Sequence, residues 1–535
     1  MAPDTRKWKV LVTEKLSDEG LAALQASPDV ELIIKTGLTP EELLVEIAAV
    51  DALLVRSATR VTAEVIEAGE KLSVIGRAGV GVDNIDVEAA TRRGVVVCNS
   101  PEGNTAAAAE HTWALLLSVA RSIPAADASV KAGEWKRSAF VGVELMNKTL
   151  GVVGLGKIGS EVASRADAFG MHVVGYDPFV SAEQATRLGV ELLSLPELFA
   201  QSDFITLHVP LNKDTRDLLN AETLQQVKAG ARIINCSRGG VVNEAALADA
   251  IASGHLAGAA LDVFATEPPG DSPLLKLPGV VLTPHLGAST AEAQVKVAVD
   301  VAQQVLEVLQ GKPARSAVNV ISVSPEELRA LEPYMALAEK LGRLQSQLAE
   351  GPLSSVELIY AGALAEEDTR MLTRSFLKGL LQPILDIPVN IVNSALIAQT
   401  RGLHITESRS RETADYVSLI TSRVATNGEE RVIAGTLFGR AEPRIVRIDR
   451  YLVDFSPSGF MLLSTHIDKP GMIGRVGTLL GEHYINIAGM NVGRGQPGPG
   501  GRSVMVLSLD NPIPPDVMER IRRIDGITST RLVEL

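Results

Sequence analysis

The chain has 535 residues, a formal net charge of -13 at pH 7, a pI near 5.3 and two cysteines. This length divides into roughly three or four domains, each able to bury its own core. The acidic balance argues against a nucleic-acid binder, because no basic excess is present to neutralise phosphates. Cys98 and Cys236 each follow an apolar, β-rich run, which suggests neither a disulfide framework nor a zinc site.

The N-terminal sequence MAPDTRKWKVLV lacks the long apolar core of a signal peptide. No apolar run reaches the ~20 residues that a membrane span needs. We therefore expect a protein of the reducing cytoplasm.

Residues 1 to about 100 alternate short β-rich runs with helical patterns, beginning at WKVLVT and ending at GVVVCNS. That alternation predicts a small parallel α/β sheet. Arg56 and Arg77 stand just past two of the predicted strands, and the turn Gly79-Val80-Gly81 could hold an anion with its exposed N–H groups. Each arginine taken alone could equally make a surface ion pair.

An alanine-rich run follows Pro101 and predicts a long helix that joins two lobes. We interpret His111 and Trp113 on this helix as core or interface residues. After the glycine-rich stretch that follows, apolar runs continue the pattern of strand and helix, and a last helical pattern covers about 290 to 312. We expect this last helix to return to the first α/β unit.

The stretch TLGVVGLGKIGSEVASRADAFGMHVVGYD predicts a strand, a glycine turn, a helix and a second strand. Gly154, Gly156 and Gly159 form a GxGxxG pattern, in which missing Cβ atoms permit a tight turn and close approach to a pyrophosphate. The helix after the turn would direct its free N–H groups at the phosphates. Asp177 comes 18 residues after the last glycine (177 − 159). Its carboxylate can accept bonds from both ribose hydroxyls, which favours NAD over NADP.

Three residues with suitable chemistry follow three successive predicted strands: Arg238, Glu267 and His285. A guanidinium can grip a substrate carboxylate and polarise a carbonyl, while an imidazole oriented by a carboxylate can exchange the hydroxyl proton. Taken one at a time, Arg238 could be a helix cap, Glu267 a solvated acid in a loop and His285 a histidine in a turn. Because the carboxyl ends of parallel strands form ligand sites, together they predict hydride transfer between NAD and a 2-hydroxy acid.

The motifs VRSAT, GRAGVGVDNID, NSPEGNTAAAAEH, GVVGLGKIG, NCSRGGVVNEAAL, ALDVFATEPP and TPHLGAST resemble the D-2-hydroxyacid dehydrogenase family, and most closely its phosphoglycerate dehydrogenase branch. The resemblance covers nearly all of residues 50 to 295 and makes Arg238, Glu267 and His285 the catalytic set. It also implies NAD as cofactor, no metal, and binding of the substrate phosphate by Arg56 and Arg77.

The resemblance carries over two further groups of residues. The NAD contacts are Val80, Gly154, Gly156, Lys157, Ile158, Gly159, Asp177, His208, Val209, Pro210, Cys236, Ser237, Asp262, Gly287 and Ala288. The substrate contacts besides the two arginines are Gly79, Val80 and Asn104. Some relatives have threonine where Val80 stands, so the contact of Val80 can only be through its backbone.

Residues beyond 319 resemble the intervening domain of the long form of the enzyme and then, from about Gly459, an ACT domain in βαββαβ order. The ACT domain could be a purely structural or dimerising module. The functional interpretation is L-serine sensing, in which Asp468 and Asn486 match the family's serine contacts and His466 matches more loosely.

The predicted architecture is thus α/β with four domains. A discontinuous, flavodoxin-like substrate domain (1–100 and 291–318) flanks a Rossmann-type, doubly wound nucleotide domain (101–290), and an α+β intervening domain (319–458) and the ACT domain (459–535) follow. The predicted function is oxidation of 3-phospho-D-glycerate with NAD, the entry step of serine synthesis, in a homo-oligomer of two or four chains regulated by serine. The alternatives are a glycerate, hydroxypyruvate or glyoxylate reductase, and an NAD-sensing corepressor without turnover.

Overall fold

The computed structural model describes most of the chain in four sheets with their helices. No helix of the described residues is long and apolar enough to span a membrane. Cys98 and Cys236 are buried free thiols. The described residues are 6–312, 315–321, 325–413, 415–426, 428–439, 441–495 and 500–535.

The N-terminal part forms a five-stranded parallel sheet. Its strands are β1 (Trp8–Val12), β2 (Val30–Ile34), β3 (Ala52–Val55), β4 (Val74–Arg77) and β5 (Val96–Asn99). Its helices are α1 (Asp18–Ala26), α2 (Pro40–Ile47), α3 (Ala63–Ala68) and α4 (Val87–Arg93). The strand order is β2-β1-β3-β4-β5. The alternation of strand and helix is the predicted one, but α4 has no clear signal in the sequence, because it buries only Ala89 and Ala90 and shows almost no helical periodicity.

Two helices then lead into a seven-stranded parallel sheet. The helices are α5 (Thr105–Arg121) and α6 (Ile123–Lys131). The strands are β6 (Thr149–Val153), β7 (His172–Tyr176), β8 (Glu191–Leu192), β9 (Phe204–Leu207), β10 (Arg232–Asn235), β11 (Gly258–Leu261) and β12 (Val280–Leu282). The order is β12-β11-β10-β9-β6-β7-β8. The chain changes direction across the sheet between β6 and β9, and ligands of doubly wound sheets bind at such a switch point.

Helices cover both faces of this second sheet. They are α5 together with α7 (Lys157–Ala166), α8 (Ala182–Arg187), α9 (Leu195–Gln201), α10 (Ala221–Gln226) and α11 (Glu244–Ala252). Trp113 on α5 is 5% exposed and donates its indole N–H to the Val162 carbonyl at 3.3 Å. The prediction of a core role for Trp113 is therefore confirmed.

The next helix, α12 (Ala291–Leu309), follows the second sheet but packs on the first. Val301 and Val305 lie in one apolar cluster with Val10 and Leu54. A Cβ atom on Gly76 of β4 would lie 2.6 Å from the Val301 side chain, so the helix approaches the sheet as closely as glycine allows. The first sheet is thus completed by a segment far away in sequence.

The C-terminal half contains two more sheets. Residues up to 455 form α13 (Pro325–Leu348), β13 (Leu353–Gly362), α14 (Arg370–Leu381), α15 (Ser394–Thr400), β14 (His404–Ser410), β15 (Ser418–Thr426), β16 (Glu430–Phe438), β17 (Glu442–Ile448) and β18 (Tyr451–Phe455). The last sheet is built from β19 (Phe460–Ile467), α16 (Met472–Glu482), β20 (Ile487–Arg494), β21 (Arg502–Leu509), α17 (Pro515–Arg522) and β22 (Ile527–Glu534). Its βαββαβ order is the predicted one, and its strands run β20-β21-β19-β22.

Candidate active site

The glycine turn lies between β6 and α7, at the switch point of the second sheet. Gly154 has φ +93°, and a Cβ atom there would lie 2.4 Å from the His208 carbonyl oxygen. A Cβ atom on Gly159 would lie 1.9 Å from the Gly154 carbonyl oxygen. At Gly156, by contrast, a Cβ atom would meet no described atom within 4 Å, and no described side chain caps α7. Two glycines therefore close the turn, while the third leaves its backbone open to a pyrophosphate.

Asp177 follows β7 and is held by the backbone of the same turn. Its carboxylate accepts hydrogen bonds from the Leu155 N–H at 2.9 Å and from the Phe179 N–H at 2.8 Å. An ionised carboxylate retains acceptor capacity beyond two such bonds. It can therefore accept further bonds from ribose hydroxyls beside the open glycine.

His208 precedes Val209 and Pro210 at the end of β9. Its Nε2 lies 2.9 Å from the Thr206 hydroxyl oxygen. Burial lowers the pKa of His208 to about 4, so the ring is neutral at pH 7. It suits the wall of a cofactor site and does not suit proton exchange near neutrality.

Asp262, just after β11, fixes the loop that carries His285. One of its oxygens accepts from the Leu286 N–H at 2.7 Å, and the other from the Gly287 N–H at 2.8 Å. Thr283 and His111 also bond the carboxylate. Burial alone would raise the pKa of Asp262, but these hydrogen bonds outweigh it and lower the pKa. Asp262 is therefore an ionised anchor for this loop.

His111 is predicted to be a core or interface residue, but the structure gives its ring a hydrogen-bonding role as well. Its Nε2 lies 3.1 Å from an Asp262 oxygen. His111, Cys236 and Asp262 place ligand-type atoms within 4.8 Å of one another. Burial, followed by the charge of Asp262, raises the pKa of Cys236 to about 12, so the thiol stays protonated at pH 7 and can donate to Asp262, whose Oδ2 lies 3.7 Å from Sγ. The grouping is a hydrogen-bond network beneath the histidine loop.

His285 and Glu267 meet at the ends of neighbouring strands. His285 Nδ1 lies 2.8 Å from Glu267 Oε2, and the other Glu267 oxygen accepts from the Phe264 N–H at 3.2 Å. The side chains are 44% and 39% exposed. His285 has φ +56°, an unfavourable region for a non-glycine residue, and the Asp262 anchor holds it there. With Nδ1 engaged, Nε2 is the nitrogen that can exchange a proton with a ligand.

Arg238, after β10, bridges the first two sheets. Its Nε lies 2.9 Å from Asp83 Oδ2 in the loop after β4, and its Nη1 donates to the Ser237 carbonyl at 2.8 Å. A Cβ atom on Gly81 would lie 1.9 Å from Nη2, so a larger residue there would displace the guanidinium from this position. Asp83 is not among the predicted site residues, although it lies in the motif GRAGVGVDNID.

Arg56 follows β3 and Arg77 is the last residue of β4, on the side of the first sheet that faces Arg238. Burial, and then the charge of Arg238, lower the pKa of Arg77 to about 10, so it remains charged at pH 7. Arg56 contributes in the same direction, which places all three cations within electrostatic reach. Arg77 Nε and Asn104 Oδ1 are buried and lack a hydrogen-bond partner among the described residues. Arg56, Arg77 and Arg238 thus form a cluster of cations between the first two sheets, with Asp83 and Glu14 as nearby acids and with unsatisfied polar atoms beside it.

The three residues predicted to sense serine are not brought together within the chain. Asp468 forms an ion pair with Arg494 at 2.8 Å, and Asn486 donates to Asp510 at 2.7 Å. Asp468 follows the end of β19, next to the Ile467–Arg502 pair, while Asn486 precedes β20, whose first residue pairs with Leu509. The positions of Asp468 and Asn486 are therefore seven residues apart along β21 (509 − 502), which is roughly 23 Å at the rise of a β-strand. His466 is 1% exposed, and burial lowers its pKa.

Comparison with known protein families matches three parts of the chain. Residues 113–287 match the NAD binding domain of D-isomer specific 2-hydroxyacid dehydrogenases. Residues 330–449 match the D-3-phosphoglycerate dehydrogenase intervening domain, and residues 461–526 match the ACT domain.

Full-length relatives and solved structures agree with these matches. The D-3-phosphoglycerate dehydrogenase of Archaeoglobus fulgidus is 48% identical over 98% of this chain and 100% of its own length. The enzyme of the same name from Bacillus subtilis is 44% identical over 99% and 100%. Among solved structures, the TT0316 protein of Thermus thermophilus is 38% identical, with a TM-score of 0.54, over 58% of this chain and 99% of its own. An Aquifex aeolicus D-lactate dehydrogenase complexed with NAD and lactic acid is 30% identical, with a TM-score of 0.52, over 56% and 96%.

Proposed function

The chain belongs to the D-3-phosphoglycerate dehydrogenase family, and we propose that its reaction is the NAD-dependent oxidation of 3-phospho-D-glycerate to 3-phosphohydroxypyruvate. This reaction is the first step of the phosphorylated route to L-serine. The observation that carries the proposal is the cluster of cations between the first two sheets, where Arg56 and Arg77 come within electrostatic reach of Arg238. Such a cluster suits a substrate with a carboxylate at one end and a phosphate at the other.

NAD fits the residues at the switch point. The open backbone at Gly156 and the uncapped start of α7 would hold the pyrophosphate, and Asp177 would hold the ribose. When bound, NAD supplies the hydride acceptor. The remaining residues proposed to contact it are Val80, Gly154, Lys157, Ile158, Gly159, His208, Val209, Pro210, Cys236, Ser237, Asp262, Gly287 and Ala288.

His285 takes the proton of the substrate hydroxyl during oxidation and returns it during reduction. Glu267 holds the ring through Nδ1 at 2.8 Å and stabilises the imidazolium that forms when Nε2 gains the proton. Arg238 grips the carboxylate and polarises the oxygen of the reacting carbonyl. Its Nε is bonded to Asp83 and its Nη1 to the Ser237 carbonyl, so Nη2 is the end free to meet substrate.

Arg56 and Arg77 bind the phosphate, with Gly79, Val80 and Asn104 completing the substrate site. The buried Arg77 Nε has no partner among the described residues, and a bound phosphate would give this donor an acceptor. An unpaired buried polar atom is costly, so Arg77 Nε contributes to substrate binding at little further desolvation cost.

Steady-state kinetics with NADH tests the proposal. Phosphohydroxypyruvate should be reduced with a far higher kcat/KM than hydroxypyruvate or glyoxylate. Equal activity on the unphosphorylated acids would favour a glycerate or glyoxylate reductase, and no turnover with any of them would favour the NAD-sensing corepressor. Adding L-serine to the same assay tests regulation.

Serine regulation and assembly belong to the same proposal. Asp468 and Asn486 lie at opposite ends of one sheet, whereas antiparallel pairing of β20 with a second copy would bring the Asp468 loop of one chain near Asn486 of the other. Within the described residues β20 has one sheet partner, β21, although Asn491 of β20 also donates to the Asp454 carbonyl of β18 at 3.0 Å. Exposed apolar side chains around α6, such as Trp135 at 79% and Val141 at 84%, also suit contact between copies in a homo-oligomer.

We assign residues 1–100 and 291–318 to the substrate domain, 101–290 to the NAD domain, 319–458 to the intervening domain and 459–535 to the ACT domain. The packing of α12 on the first sheet supports the discontinuous substrate domain. A crystal structure with NAD and substrate would test both the boundaries and the residues assigned to each ligand.

A further inference from the structure

The loop after β3, which carries Arg56, is held by a carboxylate from the end of β1. Glu14 Oε1 accepts hydrogen bonds from the Arg56 N–H at 2.8 Å and from the Thr59 N–H at 2.9 Å. Its Oε2 accepts from the Ala58 N–H at 3.2 Å. Three backbone donors therefore converge on one side chain 42 residues earlier in the sequence.

The opposite edge of the loop is fixed as well. Asn84 Nδ2 donates to the Arg56 carbonyl at 2.8 Å and to the Thr59 carbonyl at 2.7 Å. The Thr59 hydroxyl lies 2.9 Å from the Thr13 hydroxyl, next to Glu14. Glu14 and Thr13 on one side and Asn84 on the other thus leave the loop backbone little freedom.

The Arg56 side chain itself is unrestrained by comparison. Among the described residues its guanidinium makes no hydrogen bond or ion pair, although its N–H and carbonyl are both engaged. An arginine has high side-chain entropy, and an anchored backbone removes part of the search that it must make to meet a phosphate. The direction in which Arg56 leaves the sheet is set by Glu14.

We propose that Glu14 is a positioning residue for phosphate recognition, acting through the Arg56 loop. The inference rests on the proposed function, in which Arg56 binds the substrate phosphate. The effect on phosphate binding that positioning predicts is opposite in sign to the effect that charge alone predicts. Glu14 is near enough to Arg77 to raise its pKa, so charge alone would make removal of this carboxylate improve the binding of an anion. Positioning requires that removal weaken binding.

The test compares Glu14→Gln and Glu14→Ala with the parent enzyme. A glutamine has one acceptor oxygen where three donors converge, and its amide would oppose a backbone N–H. We expect KM for phosphohydroxypyruvate to rise about fivefold with kcat changed less than about twofold, because Arg56 still reaches the phosphate but from a looser loop. KM for hydroxypyruvate should not change. A fall in KM, or equal rises for both substrates, would overturn the inference.

A matched control is Asp51→Asn. Asp51 is also a carboxylate that accepts a backbone N–H, from Lys9 at 2.8 Å, and it bonds Arg6. It precedes β3, so it lies at the opposite end of the same sheet from Glu14. This control should lower Tm without a substrate-specific rise in KM. The same rise in Asp51→Asn would mean that the Glu14 effect is a general loss of stability.

A double-mutant cycle separates this inference from the proposed function. In an Arg56→Ala background, Glu14→Gln should raise KM for phosphohydroxypyruvate no further, since no guanidinium remains to position. Additive effects would overturn the inference. If Arg56→Ala alone affects both substrates equally, the proposed role of Arg56 fails. If Arg56→Ala is phosphate-specific and Glu14→Gln is not, only the positioning role fails.

Discussion

The NAD-binding half of the chain and its ACT domain differ in how the residues of their proposed sites are brought together. Near the NAD site, His285 meets Glu267 and Arg238 meets Asp83 within one chain. In the last sheet the proposed serine contacts, Asp468 and Asn486, lie at opposite ends. One chain is therefore enough to assemble the proposed catalytic residues, whereas the proposed serine contacts would meet only across two chains.

The largest effect should come from the proton-transfer group. His285→Asn keeps a polar side chain but removes the titrating ring, so kcat should fall about 10²-fold or more while NADH binding changes little. Stopped-flow kinetics and NADH fluorescence titration measure the two quantities. His255→Asn, a change away from the site, is the control, and near-normal turnover by the His285 variant would remove this residue from the mechanism.

Serine inhibition should be lost without harm to the catalytic half. Asp468→Ala should abolish serine inhibition while turnover without serine stays nearly intact. The coupling exists only through differential affinity of serine for two arrangements of the chains, so inhibition of the parent should be sigmoidal. Glu519→Ala is the matched control, and calorimetry that finds no serine binding to the parent would end the regulatory proposal.

Truncation tests the same division between the two halves. A chain ending after Val320 should reduce phosphohydroxypyruvate but ignore serine. It must retain Asn319, which accepts from the Val97 N–H at 2.9 Å and donates to the Val95 carbonyl at 2.8 Å. An inactive but folded truncated chain would show that the catalytic half depends on the rest.

Removing an arginine that binds the substrate phosphate should lower activity on the phosphorylated substrate only. Arg56→Ala or Arg77→Ala should lower kcat/KM for phosphohydroxypyruvate about tenfold or more, since each charge-assisted contact contributes roughly 1.5–3 kcal/mol. Activity on hydroxypyruvate should barely change. Arg92→Ala on α4, which removes an exposed ion pair with Glu88, is the control. Equal losses on both substrates would assign the two arginines to the fold.

The smallest effect should concern cofactor choice. Asp177→Ser removes the proposed ribose contacts and the repulsion of a 2′-phosphate, so the preference for NADH over NADPH should narrow about fivefold. The change also removes the acceptor of the Leu155 N–H. A change in NADH affinity alone could therefore come from the lost ribose contacts or from the lost bond to the glycine turn. Paired kcat/KM values for both cofactors isolate the preference, and an unchanged ratio would show that another residue decides it.

Much of this organisation is predictable because it follows local rules. The strand-end rule predicts that His285 and Glu267 meet, and the glycine pattern predicts the start of α7. The roles of Asp83 and Glu14 are not predictable in this way, since their partners lie 155 and 42 residues away in sequence. Both follow apolar runs as ordinary acidic residues. Their importance arises only when two strands, or two lobes, are brought side by side.

The return of α12 to the first sheet has a consequence for biosynthesis. Gly76 and Leu54 are covered by Val301 and Val305, so their face of the sheet is covered only in part, by Leu21 and Leu24 of α1, until about 200 further residues have left the ribosome. At 5–20 residues per second this takes roughly 10–40 s. A nascent chain halted near residue 280 should therefore remain protease-sensitive in its first 100 residues and bind chaperones, and extension past residue 312 should protect it.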